Sequence, residues 1–267
     1  MCVIICGYGH SLPARSEFES ASLYNSDGFG FAVLTESGQI ISSKGMKSAP
    51  VIEGLEAAIK SHASRVVAWV FHARITTHGT TNAANCHPFT VGGDESTYIA
   101  HNGILPTDLP KGYTGSDSAY FAETLLPLWG GVAALNYSET WEMLEEWCGT
   151  SKIALLSANP AAPLPLVILN EALGTWEGDV WYSNLYHRSP VSRAYAYYDR
   201  YEWESAPARE LPSVYGVTLQ DFETCPYCYG VNEWDTDVCV FCWSCFDCGH
   251  DALSACVCPS ADSLVEF

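Results

Sequence analysis

Two apolar runs in this chain end in the same way. RVVAWVFHAR at 65–74 and STYIAHNG at 96–103 carry β-branched and aromatic residues for the length of one strand, then stop on histidine beside arginine or asparagine. Strands of this kind are buried, and their polar ends must be satisfied where the strands emerge, at one edge of a core. CVIIC at 2–6, bounded by GYG, is a third run suited to a buried strand. Any fold for this chain has to collect several such strands and place their polar ends.

The intervening sequence supplies partners for them. GFGFAVLTESGQIISSKGM at 28–46 reads as two strands joined at ESGQ. APVIEGLEAAIKSHA at 49–63 places Val51 or Ile52, Leu55, Ala58 or Ile59 and His62 at helical spacing. A further helix is predicted from near Ser116, where SDS precedes an apolar-periodic segment, and another over YSETWEMLEEWCG, closed by Gly149. SKIALLSAN, LPLVILNE and GDVWYSN then give three short strands spaced like a meander. Strands, two helices and strands again predict an α+β layered domain rather than a doubly wound parallel sheet.

Twelve cysteines are present, but eight of them fall between 225 and 258, whereas Cys2, Cys6, Cys86 and Cys148 are scattered. Segment 188–216 shows no sustained period and reads as a connection. The expected organisation is therefore a main domain at 2–190, a linker at 191–221 and a cysteine-rich module at 222–258. Lys and Arg number 12 against 31 Asp and Glu, a net charge of −19 that disfavours phosphate backbones and anionic lipid. Neither nucleic-acid binding nor membrane association is expected. The longest apolar stretch, at 153–169, is broken by Asn159, Pro160, Pro163 and Pro165, against the roughly 20 residues a spanning helix needs. No basic and apolar leader precedes a cleavage site, so a reducing, cytoplasmic setting is expected.

In the module, CPYC at 225–228 and CVFC at 239–242 form two knuckles, with CFDC at 245–248 and CVC at 256–258 as a second set. Thiolates so spaced suit one or two tetrahedral zinc ions, held by Cys225, Cys228, Cys239, Cys242, Cys245, Cys248, Cys256 and Cys258, with His250 as an alternate ligand. A disulfide knot or an iron–sulfur cluster are the competing readings. The acidic background favours a protein partner for such a zinc ribbon.

Cys2 has a distinct chemical possibility. Removal of the initiator methionine would leave it with a free α-amine, whose reference pKa of about 7.7–8.0 lets it take the thiol proton. One residue would then supply nucleophile and base; an inert cysteine at the head of a buried strand is the alternative.

MC at the start, NSDGFGFAV at 25–33, HARITTHG at 72–79, NCHPF at 85–89, HNGIL at 101–105 and GSDSAYFAETL at 115–125 form an ordered set. In this set the chain resembles the type II glutamine amidotransferases, whose glutaminase domain belongs to the N-terminal nucleophile hydrolases. It is similar in particular to compact stand-alone forms encoded by bacteriophages. The resemblance implies a four-layer αββα sandwich over about residues 2–190 and a glutaminase activity on L-glutamine with no catalytic cofactor.

It also implies residue roles. Cys2 is the nucleophile, and the Asn102 side chain and Gly103 N–H form the oxyanion hole. Arg74 takes the substrate's α-carboxylate and Asp117 its α-ammonium. Thr76, Thr77, His78 and Gly79 line the pocket, with Asn85 and His87 in support. Asp117 as a helix N-cap and Asn102–Gly103 as a plain turn remain alternatives. The four histidines His72, His78, His87 and His101 lack HExxH spacing or an acidic cluster. No phosphate-cradling loop or acceptor domain is visible beyond the glutaminase region, so a separate ammonia-accepting synthase is expected, docked through the tail. An amidohydrolase acting on a γ-glutamyl compound, and a non-catalytic zinc-ribbon adaptor, are the other readings.

Overall fold

The computed structural model describes residues 2–188 and, further on, one strand pair, β11 (Phe222–Thr224) with β12 (Val231–Glu233). The chain divides into two units, Met1–His187 and Arg188–Phe267. The linker and all eight clustered cysteines lie outside the described residues, and so does the zinc reading.

The first unit is mixed α and β, built on two antiparallel sheets. One has six strands in the order β3 (Ile40–Gly45), β2 (Phe29–Thr35), β4 (Val66–Ala73), β1 (Val3–Tyr8), β10 (Val180–Tyr182) and β9 (Thr175–Glu177). The other has four, β5 (Phe89–Val91), β6 (Asp94–Asn102), β7 (Lys152–Ser157) and β8 (Leu166–Leu169).

Strand alternation explains the stacking. In β1, Val3 and Ile5 face the helices α1 (Arg15–Tyr24) and α2 (Ser48–His62), where Phe18, Ile52 and Leu55 meet them. Ile4 and Cys6 face the opposite way, toward Ala100, Ala154, Leu156 and Ile168 of the second sheet. The outer face of that sheet, with Ile99, Ile153 and Leu155, packs on Phe121, Leu126 and Leu144 of the remaining helices. Burying each such side chain stabilises by roughly 1.5–3 kcal/mol, so the two-residue period holds the layers together. The result is helices, sheet, sheet, helices.

The predicted hairpin at 36–39, the helix at 48–62 and the helix Ser138–Cys148 (α5) with Gly149 at φ 60° are present. The meander is corrected. β7 and β8 pair as neighbours, but the chain then crosses to the other sheet, where β9 and β10 form a hairpin beside β1. Three helical segments follow one another after Ser116: α3 (Asp117–Tyr120), a π turn over Phe121–Leu125 and α4 (Leu126–Leu128). Pro127, separated from the π turn by one residue, has no N–H to bond back into the helix. The Ala122 carbonyl accepts the Gly92 N–H at 3.0 Å. Among the described residues no helix is long and apolar enough to cross a membrane.

Candidate active site

β1 and β4 run antiparallel with Val3 opposite Ala73, so the residues just beyond them, Cys2 and Arg74, come out at the same end of the six-stranded sheet. The Cys2 thiol sits 3.4 Å from both the N–H and the carbonyl of Ile75. Burial pushes its pKa up, while the Ile75 N–H and the Arg74 charge pull it down and Asp117 pushes it up. Arg74 and Asp117 therefore both act on the thiol electrostatically. At neutral pH the group is a thiol, and it needs a base to react. His72, His87 and His101 make no hydrogen bond to it; their partners are elsewhere.

Arg74 is 3 % exposed. Its backbone is pinned by Gly28 and Asp27, with Arg74 N–H to Gly28 O at 2.8 Å and Asp27 N–H to Arg74 O at 2.8 Å. Its guanidinium donates to the carbonyls of His78 at 2.9 Å and Thr80 at 3.3 Å. Among the described residues every ion pair within 4.0 Å involves Arg15 or His187, so no carboxylate meets this buried cation. The Asp27 carboxylate instead accepts the Thr76 N–H at 2.7 Å and starts the loop that follows. Thr77 and His78 are exposed in that loop, and it is the His78 carbonyl rather than its ring that meets Arg74. Gly79 has φ +74°, and a Cβ there would press on Gly115 and Ser116, so the loop closes against the head of α3. Asn85 ties the same two segments, donating to Thr80 O at 2.9 Å and accepting the Ser116 N–H at 3.2 Å.

Asp117 is 4 % exposed and does not cap α3. Ser116 is the cap, its hydroxyl accepting the Ala119 N–H at 3.2 Å. The Asp117 carboxylate accepts the N–H groups of Leu105 at 2.8 Å and Ser118 at 2.9 Å. It meets no cation within 4.0 Å among the described residues.

Asn102 and Gly103 end β6. Asn102 is 1 % exposed and its amide donates to Ser183 Oγ at 2.8 Å, while its Oδ1 has no partner among the described residues. Gly103 has φ +147°, and a Cβ there would collide with Ser151. Glycine is thus required by both backbone and space.

The three buried histidines form a directed chain. His72 Nε2 donates to the His101 carbonyl at 2.9 Å, and His87 Nδ1 accepts the His101 N–H at 3.1 Å. His101 Nδ1 lies 2.7 Å from the Ser118 hydroxyl, which is also 3.3 Å from Asp117 Oδ1. The His72 and His87 rings stack with centroids 4.0 Å apart. Among the described residues no group of three His, Cys, Asp or Glu side chains could hold a metal ion.

Burial holds these imidazoles neutral, with pKa values lowered to about 3 for His72 and about 4 for His101, and well below 6.5 for His87. Unfolded, each titrates near 6.5, so below that pH the unfolded chain binds more protons than the folded one. Their stabilising contribution is complete above about pH 6.5 and is lost as pH falls toward 4 and then 3. Each histidine can contribute a slope of up to about 1.4 kcal/mol per pH unit. Urea midpoints should therefore fall steadily from pH 7 to pH 5, and His72→Gln should flatten the fall; a level profile in the parent chain would contradict it.

Residues 12–130 match the family model for class-II glutamine amidotransferases. That segment is 119 of the chain's 267 residues, and over it the chain is similar to the class-II glutamine amidotransferases. The matched segment holds Arg74, Asn102, Gly103 and Asp117; Cys2 lies before it. No curated protein matches the chain in sequence. Among solved structures it is similar to the glutamine phosphoribosylpyrophosphate (PRPP) amidotransferase from B. subtilis complexed with ADP and GMP, at 16% identity and a TM-score of 0.44. A second similar structure is described as the allosteric regulatory enzyme of purine biosynthesis, at 14% identity and a TM-score of 0.43. Each comparison covers 68% of this chain and 41% of the other, so the chain spans about two fifths of the length of those proteins.

Several partners of these groups carried no signal in the sequence: Ser118, Ser151 and Ser183. All are common polar residues at strand or helix ends. Only the spacing SDS drew attention to any of them, and it did so for Asp117.

Proposed function

We propose that the chain is a cysteine glutaminase: with Met1 removed, it cleaves the side-chain amide of L-glutamine and yields glutamate and ammonia. The observation that carries this reading is a buried cation and a buried anion, Arg74 and Asp117, neither ion-paired among the described residues, both acting on the Cys2 thiol. Isolated buried charges are costly, and a zwitterionic ligand would supply the missing partner of each. The planar guanidinium suits an α-carboxylate, and the Asp117 oxygens retain acceptor sites for an α-ammonium.

In this mechanism the α-amine of Cys2 takes the thiol proton, and the thiolate attacks the carboxamide carbon. The free N–H of the Asn102 amide and the Gly103 N–H stabilise the oxyanion. Ammonia leaves with the proton from the α-amine, and water then hydrolyses the γ-glutamyl thioester. The ammonia would pass to a separate acceptor enzyme. Thr77 and His78 belong to the exposed loop whose His78 carbonyl accepts from Arg74.

Incubation of the full chain with glutamine and with an electrophilic glutamine analogue tests this. Ammonia release together with one adduct on Cys2, in protein lacking Met1, supports it. Turnover of a γ-glutamyl anilide without turnover of glutamine would favour the amidohydrolase reading, and absence of both would favour a non-catalytic adaptor.

The eight clustered cysteines are a donor set suited to one or two structural zinc ions, which would build a docking module for a protein partner. Purified protein should contain one or two zinc per chain, and a chelator should raise the count of titratable thiols by four to eight. Metal-free protein with bridged cysteine pairs would refute the metal site.

A further inference from the structure

The glutaminase reading gives no role to Ser183, the buried residue that accepts from the Asn102 amide. We propose that Ser183, just past β10, is a positioning residue that aims the Asn102 amide at the oxyanion and fixes it relative to the strand of Cys2. This inference rests on the reading of the site as a glutaminase.

Cys2 precedes β1 in the six-stranded sheet, whereas Asn102 ends β6 in the four-stranded one. No backbone ladder runs between the sheets, so the ladders leave the distance from nucleophile to oxyanion donor unset. Ser183 spans that gap. Its hydroxyl, 1 % exposed, accepts the Ile4 N–H at 2.8 Å and the Asn102 amide at 2.8 Å. Its own N–H donates to the Ile4 carbonyl at 3.0 Å, so the residue is locked to β1 from both sides. Asn184 anchors the same turn one step closer to the thiol, donating to the Cys2 carbonyl at 2.7 Å.

The terminal torsion of an asparagine is soft, and its amide plane swings unless a partner holds it. Oxyanion stabilisation depends on a donor fixed in advance at about 2.7–3.1 Å from the developing charge. One Asn102 N–H is spent on Ser183 Oγ, and this sets the direction of the other. Residues 183–184 fall outside the segment matched by the family model, so the role is read from this structure alone.

Ser183→Ala should lower kcat for glutamine about 10-fold to 10²-fold, a part of the loss typical for a missing oxyanion donor. KM should stay within about threefold, because Arg74 and Asp117 are untouched, and alkylation of Cys2 by iodoacetamide should proceed at the parent rate. Rates are taken per site titrated with the electrophilic analogue, so a merely structural loss of active molecules does not register. In an Asn102→Ala background the same change should cost less than about threefold, since Ser183 acts through that amide. Ser183→Thr, which keeps the acceptor oxygen, should recover most of the turnover. Should the alanine variant fail to fold, Ser183→Cys keeps the shape with a weaker acceptor and carries the same expectation. A kcat per titrated site within twofold of the parent, or full additivity with Asn102→Ala, overturns the proposal. Parent protein without glutamine turnover instead overturns the glutaminase reading beneath it.

Discussion

Cys2→Ala is expected to abolish ammonia release from glutamine, a fall of about 10⁴-fold or more, while glutamine still protects the protein against thermal unfolding. The magnitude follows from removing the nucleophile of a unit whose members act together. The persistence of binding follows from geometry, because Arg74 and Asp117 sit on other elements and keep their partners. A second arm isolates the base. The thiol's hydrogen-bond partners are the Ile75 N–H and carbonyl, and burial holds its pKa up, so an internal Cys2 has no group to take its proton. A cleavable leader fused ahead of Cys2 should therefore silence the enzyme as fully as the alanine change. Removal of that leader to expose a cysteine amine should restore turnover. Full activity with the leader in place would exclude the α-amine as base and return attention to the buried histidines.

Much of the layered fold was legible because each layer is written in its own period. The unbroken apolar runs of β1 and β4, and Val51, Ile52, Leu55, Ala58 and Ile59 along α2, are strong local patterns that burial then rewards. Helix α1 was not legible: its segment RSEFESASLY buries only Phe18, Ala21 and Ser22, and its stability comes from Phe18 packing edge-on against Phe71 at 4.9 Å. The crossing after β8 was missed for a related reason. Spacing between strands reports turn length but not which sheet the next strand joins, and β10 is drawn to β1 through pairs such as Ile5 with Tyr182.

The site follows the same division. Residues that must be a particular type stand out: an arginine fork, a glycine at φ +147°, a carboxylate just inside a helix. Residues that only have to offer an oxygen or an amide to the right neighbour do not, and Ser183 meets Asn102 across 81 positions of sequence. Such contacts are products of the sheet pairing, and no short pattern encodes them.

Arg74→Met separates binding from stability most sharply. A buried guanidinium with two carbonyl partners and, among the described residues, no carboxylate is a net cost to the ligand-free fold, since desolvation of an ion exceeds what dipoles return. Methionine fills similar length without charge, and the two carbonyls it would strand, on His78 and Thr80, belong to exposed loop residues that water can reach. The ligand-free protein should thus melt at the same temperature as the parent or slightly above it. Glutamine binding should suffer heavily, because losing a charged, bidentate partner typically costs about 2–5 kcal/mol, roughly 30-fold to several thousandfold in KM. Thermal stabilisation by glutamine should vanish with it, as linkage requires. Arg74→Lys should recover little, for a point charge lacks the fork that grips both carboxylate oxygens. A collapse in melting temperature with KM unchanged would show that the arginine serves the loop and not the ligand, and the pairing of Arg74 with an α-carboxylate would have to be abandoned.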